Sequence, residues 1–285
     1  MKSFGEIQKE NSSGQPGYVG YTEARISQIE FDFFSRKILE LIGVDLRSYK
    51  GALMERRLRA LMSKANVDNL TSYAHLLQRD PARLEEFRNW FTINVSEFFR
   101  NPDKFAELST SILPGLLKAN PDIRVWSAGC ANGSEPYSVA IILKELAPRG
   151  HHQVLATDID PEALAAGVRG VYSERELGPG VSEERRRKFF EMTPDGFRVK
   201  NDIRRMVRFQ EHDLLRDPYP AGFDLILCRN VVIYFTETAR DEVFSKFRQS
   251  LKPGGVLFIG ATESILNARE IGFEMISPFF YRRSG

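Results

Sequence analysis

Cysteine is scarce in this chain. Only Cys130 and Cys228 occur in 285 residues, far apart and each beside a strand-like run. With no C-x-x-C pair there is neither a zinc ribbon nor a disulfide framework, and a reducing compartment is expected. Histidine is as sparse: of four, only His151 and His152 are neighbours, in a polar loop after Pro148, so no metal is expected. No apolar run is long enough to span a bilayer, and the N-terminus has no signal-peptide core. The chain therefore reads as cytoplasmic, without direct membrane insertion. Net charge is nearly absent too. Lys and Arg number 40 against 38 Asp and Glu, a formal +2, so bulk charge gives no reason to expect nucleic acid and any basic site must be local.

What is present is a soluble globular composition, 42% hydrophobic and 27% charged, in a chain long enough for two domains. One stretch organises it, Val125 to Ser138. Ile123, Val125 and Trp126 read as a short buried strand, and Gly129 and Gly133 bracket a turn. Ser134 is expected to cap the following helix, with Pro136 in its first turn. Val139, Ile142, Leu143 and Leu146 continue at helical spacing. Strand, glycine turn and helix N-terminus make the corner of a Rossmann-like unit. The pattern departs from G-x-G-x-x-G, because Ala131 stands where the second glycine belongs.

Residues 1–22 are polar and Gly/Ser-rich and read as a flexible tail. Residues 23–104 read as a small helical domain, with apolar stripes at Ile29, Phe33, Phe34, Ile38, Leu41 and Ile42, ended by Gly43, and at Leu53, Met54, Leu58, Leu61 and Met62. Thr71 is the expected cap of a third helix carrying Tyr73, Leu76 and Leu77. A fourth follows Pro81. Arg56 and Arg59 flank the second stripe on one side and Arg57 and Lys64 on the other. They form either the solvated face of an amphipathic helix or a docking face for an acidic partner. Alternation from Thr92 to Phe98 predicts an extended segment. Residues 105–122 read as a linker helix, and 123–285 as alternating strands and helices, which implies a doubly wound, mostly parallel sheet.

Within that α/β part, Val154 to Thr157 is a second strand ending at Asp158. Asp160 before Pro161 is explained as a helix cap, whereas Asp158 stands where such folds bind ribose hydroxyls. Residues 174–207 interrupt the alternation with a helix and a β-hairpin turning at Thr193-Pro194-Asp195-Gly196. Met206 to Phe209, Phe223 to Cys228 and Val256 to Ile259 are further core strands. The helix from Ala239 to Leu251 is expected to stop at Lys252-Pro253-Gly254-Gly255. Phe273 to Ile276 and Phe279 to Arg282 read as a final antiparallel pair. Gly129, Asp158, Asp213 and Arg229 all fall at strand carboxyl ends.

The order of these motifs resembles class I S-adenosylmethionine-dependent methyltransferases, and more narrowly the CheR-type chemotaxis receptor protein-glutamate O-methyltransferases. The resemblance spans about Ile26 to Arg282. It rests on Asn94-x-Ser96-x-Phe98-Phe99-Arg100, Gly133-Ser134-Glu135-Pro136-Tyr137-Ser138, Thr157-Asp158-Ile159-Asp160, and Cys228-Arg229-Asn230-Val231 with Ile233-Tyr234-Phe235. It implies S-adenosylmethionine as cofactor, held by Asn94, Ser96, Arg100, Gly129, Glu135, Asp158, Asp213, Leu214, Arg229 and Asn230. Relatives often carry Asn where Asp213 stands. The resemblance also implies methyl transfer to receptor glutamates, with Arg100 and Tyr234 positioning the carboxylate. Arg56, Arg57, Arg59 and Lys64 would dock the receptor's cytoplasmic helical bundle, and the enzyme would act as a monomer. The hairpin turn is shorter than the glycine-rich loop by which some relatives hold a receptor tail, so tight tail binding is not expected. Two alternatives remain at this level: an N-methyltransferase acting on protein or nucleic acid, disfavoured because Cys228-Arg229-Asn230 lacks the Pro-Pro motif of such enzymes, and a non-catalytic docking module.

Overall fold

The structure is a computed structural model that describes residues 26–92 and 96–285. The predicted tail, the centre of the Thr92–Phe98 segment with Asn94, and the side chain of Leu53 lie outside the described residues.

The N-terminal part is helical: α1 (Gln28–Ile42), α2 (Gly51–Lys64), α3 (Leu70–Arg79) and α4 (Pro81–Phe91). A capping box between Ser27 and Glu30 starts α1, and Gly43, at φ 78°, ends it. Phe34 and Ile38 are fully buried, but Ile29 is 83% exposed, contrary to its place in the predicted stripe. Five residues from Phe34, at about 100° per residue, it lies about 140° around the helix from the packed face. The cap of α3 is also not the predicted Thr71, which lies inside the helix. Asn69 accepts the Ser72 N–H at 2.8 Å instead. Asp80 caps α4 with Pro81 in the first turn.

A helical connection follows, α5 (Pro102–Glu107) and α6 (Leu113–Ala119), joined through a π-type turn at Leu108–Ile112. Pro114 explains the irregularity, since its ring and missing N–H do not fit a regular helix interior.

The remainder alternates. In chain order come β1 (Arg124–Ala128), α7 (Ser134–Leu146), β2 (Gln153–Asp158), α8 (Pro161–Arg169), β3 (Val171–Tyr172), α9 (Glu174–Leu177), α10 (Glu183–Phe189), β4 (Phe190–Thr193), β5 (Gly196–Val199) and α11 (Asn201–Arg204). Then come β6 (Val207–Glu211), β7 (Phe223–Cys228), α12 (Glu237–Ser250), β8 (Leu251–Ile259), β9 (Phe273–Ser277) and β10 (Phe280–Arg283). The main sheet has the order β6-β2-β1-β7-β8-β10-β9. Its first five strands are parallel, and β10 and β9 close one side antiparallel. Alternate residues feed two cores: Val125 and Leu225 pack on one face with Ile141, and Trp126 and Ile226 on the other with Phe244. The insertion is a separate antiparallel sheet, β3-β5-β4, so the predicted hairpin gains a third strand.

Two local expectations need correction. Ser134 does not cap α7. Gly133 occupies the N-cap at φ 88° without a side-chain bond, and buried Ser134 donates its Oγ–H to Asn132 Oδ1 at 2.8 Å. The helix α12 stops before Lys252–Gly255, as expected, but the strand that follows begins at Leu251 rather than Val256, so this segment lies inside the sheet. It bulges within β8, whose pairing with β7 jumps from Phe223–Leu251 to Leu225–Val256, and Gly254, at φ 76°, absorbs the extra chain.

Candidate functional site

Chain order runs outward from β1 to β2 and β6 on one side and resumes at β7 on the other. The crevice above β1 and β7 is therefore the switch point where such sheets bind ligands. A cavity of about 230 Å³ opens there. Ser96, Arg100, Gly129, Glu135, Asp158, Asp213, Leu214, Arg229, Asn230 and Tyr234 all border it. Of the predicted docking residues only Arg57 does; Arg56, Arg59 and Lys64 lie outside the wall.

The glycine turn forms one side. The N–H groups of Gly129 and Cys130 both donate to Thr157 O, at 2.8 and 2.9 Å, which folds the turn onto the end of β2. Gly129 has φ 77°, and a Cβ on it would stand 2.4 Å from Val231 Cγ2, so only glycine allows the β1 and β7 loops to approach this closely. Asp158, 9% exposed, accepts from Ala131 N–H at 2.8 Å and from Asp160 N–H at 3.1 Å. Burial raises its pKa above the usual aspartate value, and these backbone donors oppose that rise. Asp160 caps α8 as predicted, accepting from the N–H groups of Glu162 and Ala163. Its other oxygen accepts from Thr92 Oγ1 at 2.7 Å, which ties the end of the helical part to this corner.

Glu135 and Arg229 form the deepest polar pair. Glu135 accepts from Ser127 Oγ at 2.8 Å and pairs with Arg229 Nη1 at 3.2 Å. Arg229 also donates to Arg100 O at 2.8 Å and Asn101 Oδ1 at 2.6 Å. Its guanidinium lies 5.2 Å from the Phe105 ring centre and 4.6 Å from that of Phe258, and burial pushes its pKa down. Arg229 thus anchors Glu135 and the Arg100 backbone from behind. Across the crevice, Asp213 accepts from Leu215 N–H at 2.8 Å, and burial raises its pKa as well.

The far wall comes from the helical part. Tyr49 meets Phe91 and Phe235 edge-on, with centroids 4.9 and 5.2 Å away, and forms an isolated antiparallel bridge with Phe235. Lys50 N–H donates to Tyr234 O at 2.9 Å, and Thr236 N–H to Ser48 O at 2.8 Å. Tyr234 is thereby held from both sides. Arg57, predicted as a docking residue at the pocket mouth, lies 4.3 Å over Trp90, donates to Trp90 O and borders the cavity. Arg59 pairs with Glu55 at 2.7 Å and Lys64 with Glu86, while Arg56 is exposed.

Sequence reasoning missed Tyr49 and His212, which border the cavity, and Glu263, which bonds to the Val231 N–H of its wall. Their partners are remote in sequence, so no local spacing announces them. Glu263 alone had a signal: an acid just beyond the carboxyl end of a core strand, in Gly260-Ala261-Thr262-Glu263.

Two carboxylates, a glycine turn that admits close approach, apolar Ile159 and Leu214, and a charged pair at one end suit an elongated ligand. It would bear hydroxyls, a flat ring and a charged tail. Such a ligand is S-adenosylmethionine, and the comparisons agree. Residues 94–278 match the family model "CheR methyltransferase, SAM binding domain", and residues 29–92 match "CheR methyltransferase, all-alpha domain". A chemotaxis protein methyltransferase of Listeria innocua is 40% identical over 253 residues, 88% of this chain and 96% of that protein. One from Vibrio parahaemolyticus is 35% identical over 269 residues, 90% of this chain and 96% of that protein. Chemotaxis protein methyltransferase 1 of Pseudomonas aeruginosa is 33% identical over 84% of this chain and 91% of that protein. With both parts of its architecture matched in order, the chain belongs to the CheR family of S-adenosylmethionine-dependent methyltransferases.

Proposed function

We propose that this enzyme methylates glutamate side chains on the cytoplasmic helical bundle of chemotaxis receptors, forming methyl esters. The observation that carries the reading is the cavity wall formed jointly by Tyr234, Arg100 and the helical part's Arg57. In this reading the two guanidinium groups and the phenol receive the entering carboxylate. When bound, the cofactor supplies an electrophilic sulfonium methyl and leaves as a neutral thioether. A glutamate of pKa about 4.3 is already ionised at neutral pH, so no general base is required and no proton moves. What remains for the chain is placement: Arg100 and Tyr234 orient the carboxylate, and the enclosed crevice strips it of water. Asn94, Ser96, Glu135, Asp158, Asp213, Leu214 and Asn230 would hold the cofactor, with Arg229 bracing Glu135.

Arg56 is exposed on α2, so of the four cations it is the one assigned to meet an acidic receptor helix. Arg59 and Lys64 already face Glu55 and Glu86. Among the described residues no helix is long and apolar enough to cross a membrane. In this proposal the enzyme works as a monomer from the cytoplasm on membrane-bound receptors. The short turn between β4 and β5 supports the view that no receptor tail is gripped tightly there.

Incubating the enzyme with labelled cofactor and receptor-bearing membranes tests the reading. Methyl esters release methanol under mild alkali, so label should become volatile. Alkali-stable label would mean nitrogen methylation and would overturn the proposal.

A further inference from the structure

Glu263 is 6% exposed, just beyond the carboxyl end of β8. Among the described residues it forms no ion pair within 4.0 Å. Backbone donors solvate it instead. Gly260 N–H donates to Oε2 at 2.5 Å and Val231 N–H to Oε1 at 3.1 Å, and the backbone of Asn230 and Ile233 adds a favourable field at the carboxylate. Three of these four residues, Asn230, Val231 and Ile233, belong to one short loop, the link from β7 to Tyr234. Such convergence of backbone N–H groups on one anion is a nest. The loop does not fold this way by default, for Asn230 sits at φ 60°, a left-handed conformation that is costly for most side chains. Val231 Cγ2 then comes so close to the Gly129 turn that no Cβ fits between them. Two residues on, the 3₁₀ turn Val232–Tyr234 delivers the tyrosine to the cavity.

We propose that Glu263 is a positioning residue for methyl transfer: its carboxylate gathers the backbone of residues 230–233 and thereby sets where Tyr234 meets the substrate. The inference rests on the proposed role of Tyr234. It requires both oxygens of Glu263, because Oε1 accepts from Val231 N–H and Oε2 from Gly260 N–H, and in an amide one of these positions becomes an N–H₂ that faces a donor. Burial raises the pKa of Glu263, and the backbone groups gathered around it oppose that rise.

The test is a double-mutant cycle in the full-length enzyme, with receptor-bearing membranes as substrate. Glu263→Gln should lower kcat about tenfold or more and weaken S-adenosylhomocysteine binding by less than that, since Asn230 borders the cofactor site from the same loop while Gly129, Asp158 and Asp213 stand on other loops. Combined with Tyr234→Phe, it should cost little beyond Tyr234→Phe alone. A second perturbation leaves every charge in place: in Gly260→Ala the new Cβ would stand 2.7 Å from Glu263 Oε2 and 2.8 Å from Asn230 N, wedging carboxylate and loop apart. It should reproduce the kcat loss and the same non-additivity, and it carries the cycle if Glu263→Gln does not fold. Wild-type kcat in either variant, or losses that multiply fully with that of Tyr234→Phe, would overturn the proposal. Wild-type enzyme that forms alkali-stable label would instead defeat the glutamate reading, so the two failures are distinguishable.

Discussion

At the scale of single residues, Asp158 and Asp160 show how two acids two positions apart come under different forces. Asp160 has its charge spent on the α8 cap and on Thr92. Asp160→Ala should therefore lower stability by about 0.5–2 kcal/mol, measured by denaturant titration, with little change in cofactor affinity. Asp158 faces the cavity, and burial raises its pKa. The folded protein then holds this proton more tightly than the unfolded chain. Its contribution to stability is full below the ordinary aspartate pKa of about 3.9 and is lost as pH rises through the raised value. Asp158→Asn, which copies the neutral form, should gain melting temperature relative to wild type as pH rises through that window. Cofactor affinity should run the opposite way: in wild type it should weaken as pH falls through the raised pKa. In Asp158→Asn it should be about tenfold or more lower at neutral pH, since a hydrogen bond to a charged group is worth about 1.5–3 kcal/mol. Calorimetry at several pH values checks both signs. The distinction between the two acids was legible in sequence, because Asp-Pro marks a helix start and the other acid ends a strand. The Thr92 bond was not, since its partners meet only in the folded chain.

At the scale of elements, α2 is the instructive case. Its apolar stripe and basic flanks are readable from spacing, and Glu55–Arg59 is an ordinary i,i+4 pair. The Lys64–Glu86 pair and the Arg57–Trp90 stack join α2 to α4, so periodicity within one helix cannot reveal them. The consequence is a sorting of four cations that sequence treated alike. Arg59→Glu would set a second carboxylate beside Glu55, mixing helix destabilisation into any binding effect. Arg56→Glu is the cleaner probe: it should raise the receptor KM, leave S-adenosylhomocysteine affinity unchanged, and flatten the fall of activity with salt, because exposed charges are screened over about 8 Å at physiological ionic strength. Unaltered receptor kinetics at low salt would make this flank a solvated face only. Arg57→Ala should behave differently, losing about 0.5–2 kcal/mol of stability with the stack on Trp90 as well as part of the cavity wall.

At the scale of the whole molecule, the strands and helices were largely legible because each core strand is a short apolar run bounded by turn residues. The sheet order, the third strand of the insertion and the seam between the two parts were not, because each is a pairing between remote residues. The seam matters most. Tyr49 bridges Phe235, and Lys50 N–H and Thr236 N–H bond across it on either side of Tyr234. The helical part thus supplies Tyr49, Met54, Arg57, Phe91 and Thr92 to a cavity whose other wall is the sheet. A ligand that binds only the joined state must stabilise the seam along with the pocket. At a ligand concentration of 100 Kd, linkage gives about 2.7 kcal/mol, a shift of about 100-fold in any opening equilibrium that destroys the site. Native-state hydrogen exchange should therefore show the Lys50 and Thr236 amides gaining about 100-fold protection with S-adenosylhomocysteine, together with amides of β1 and β2 whose exchange requires the same opening. Protection confined to the sheet, with Lys50 and Thr236 unchanged, would mean that the cofactor site is complete without the helical part and that the seam serves the receptor alone.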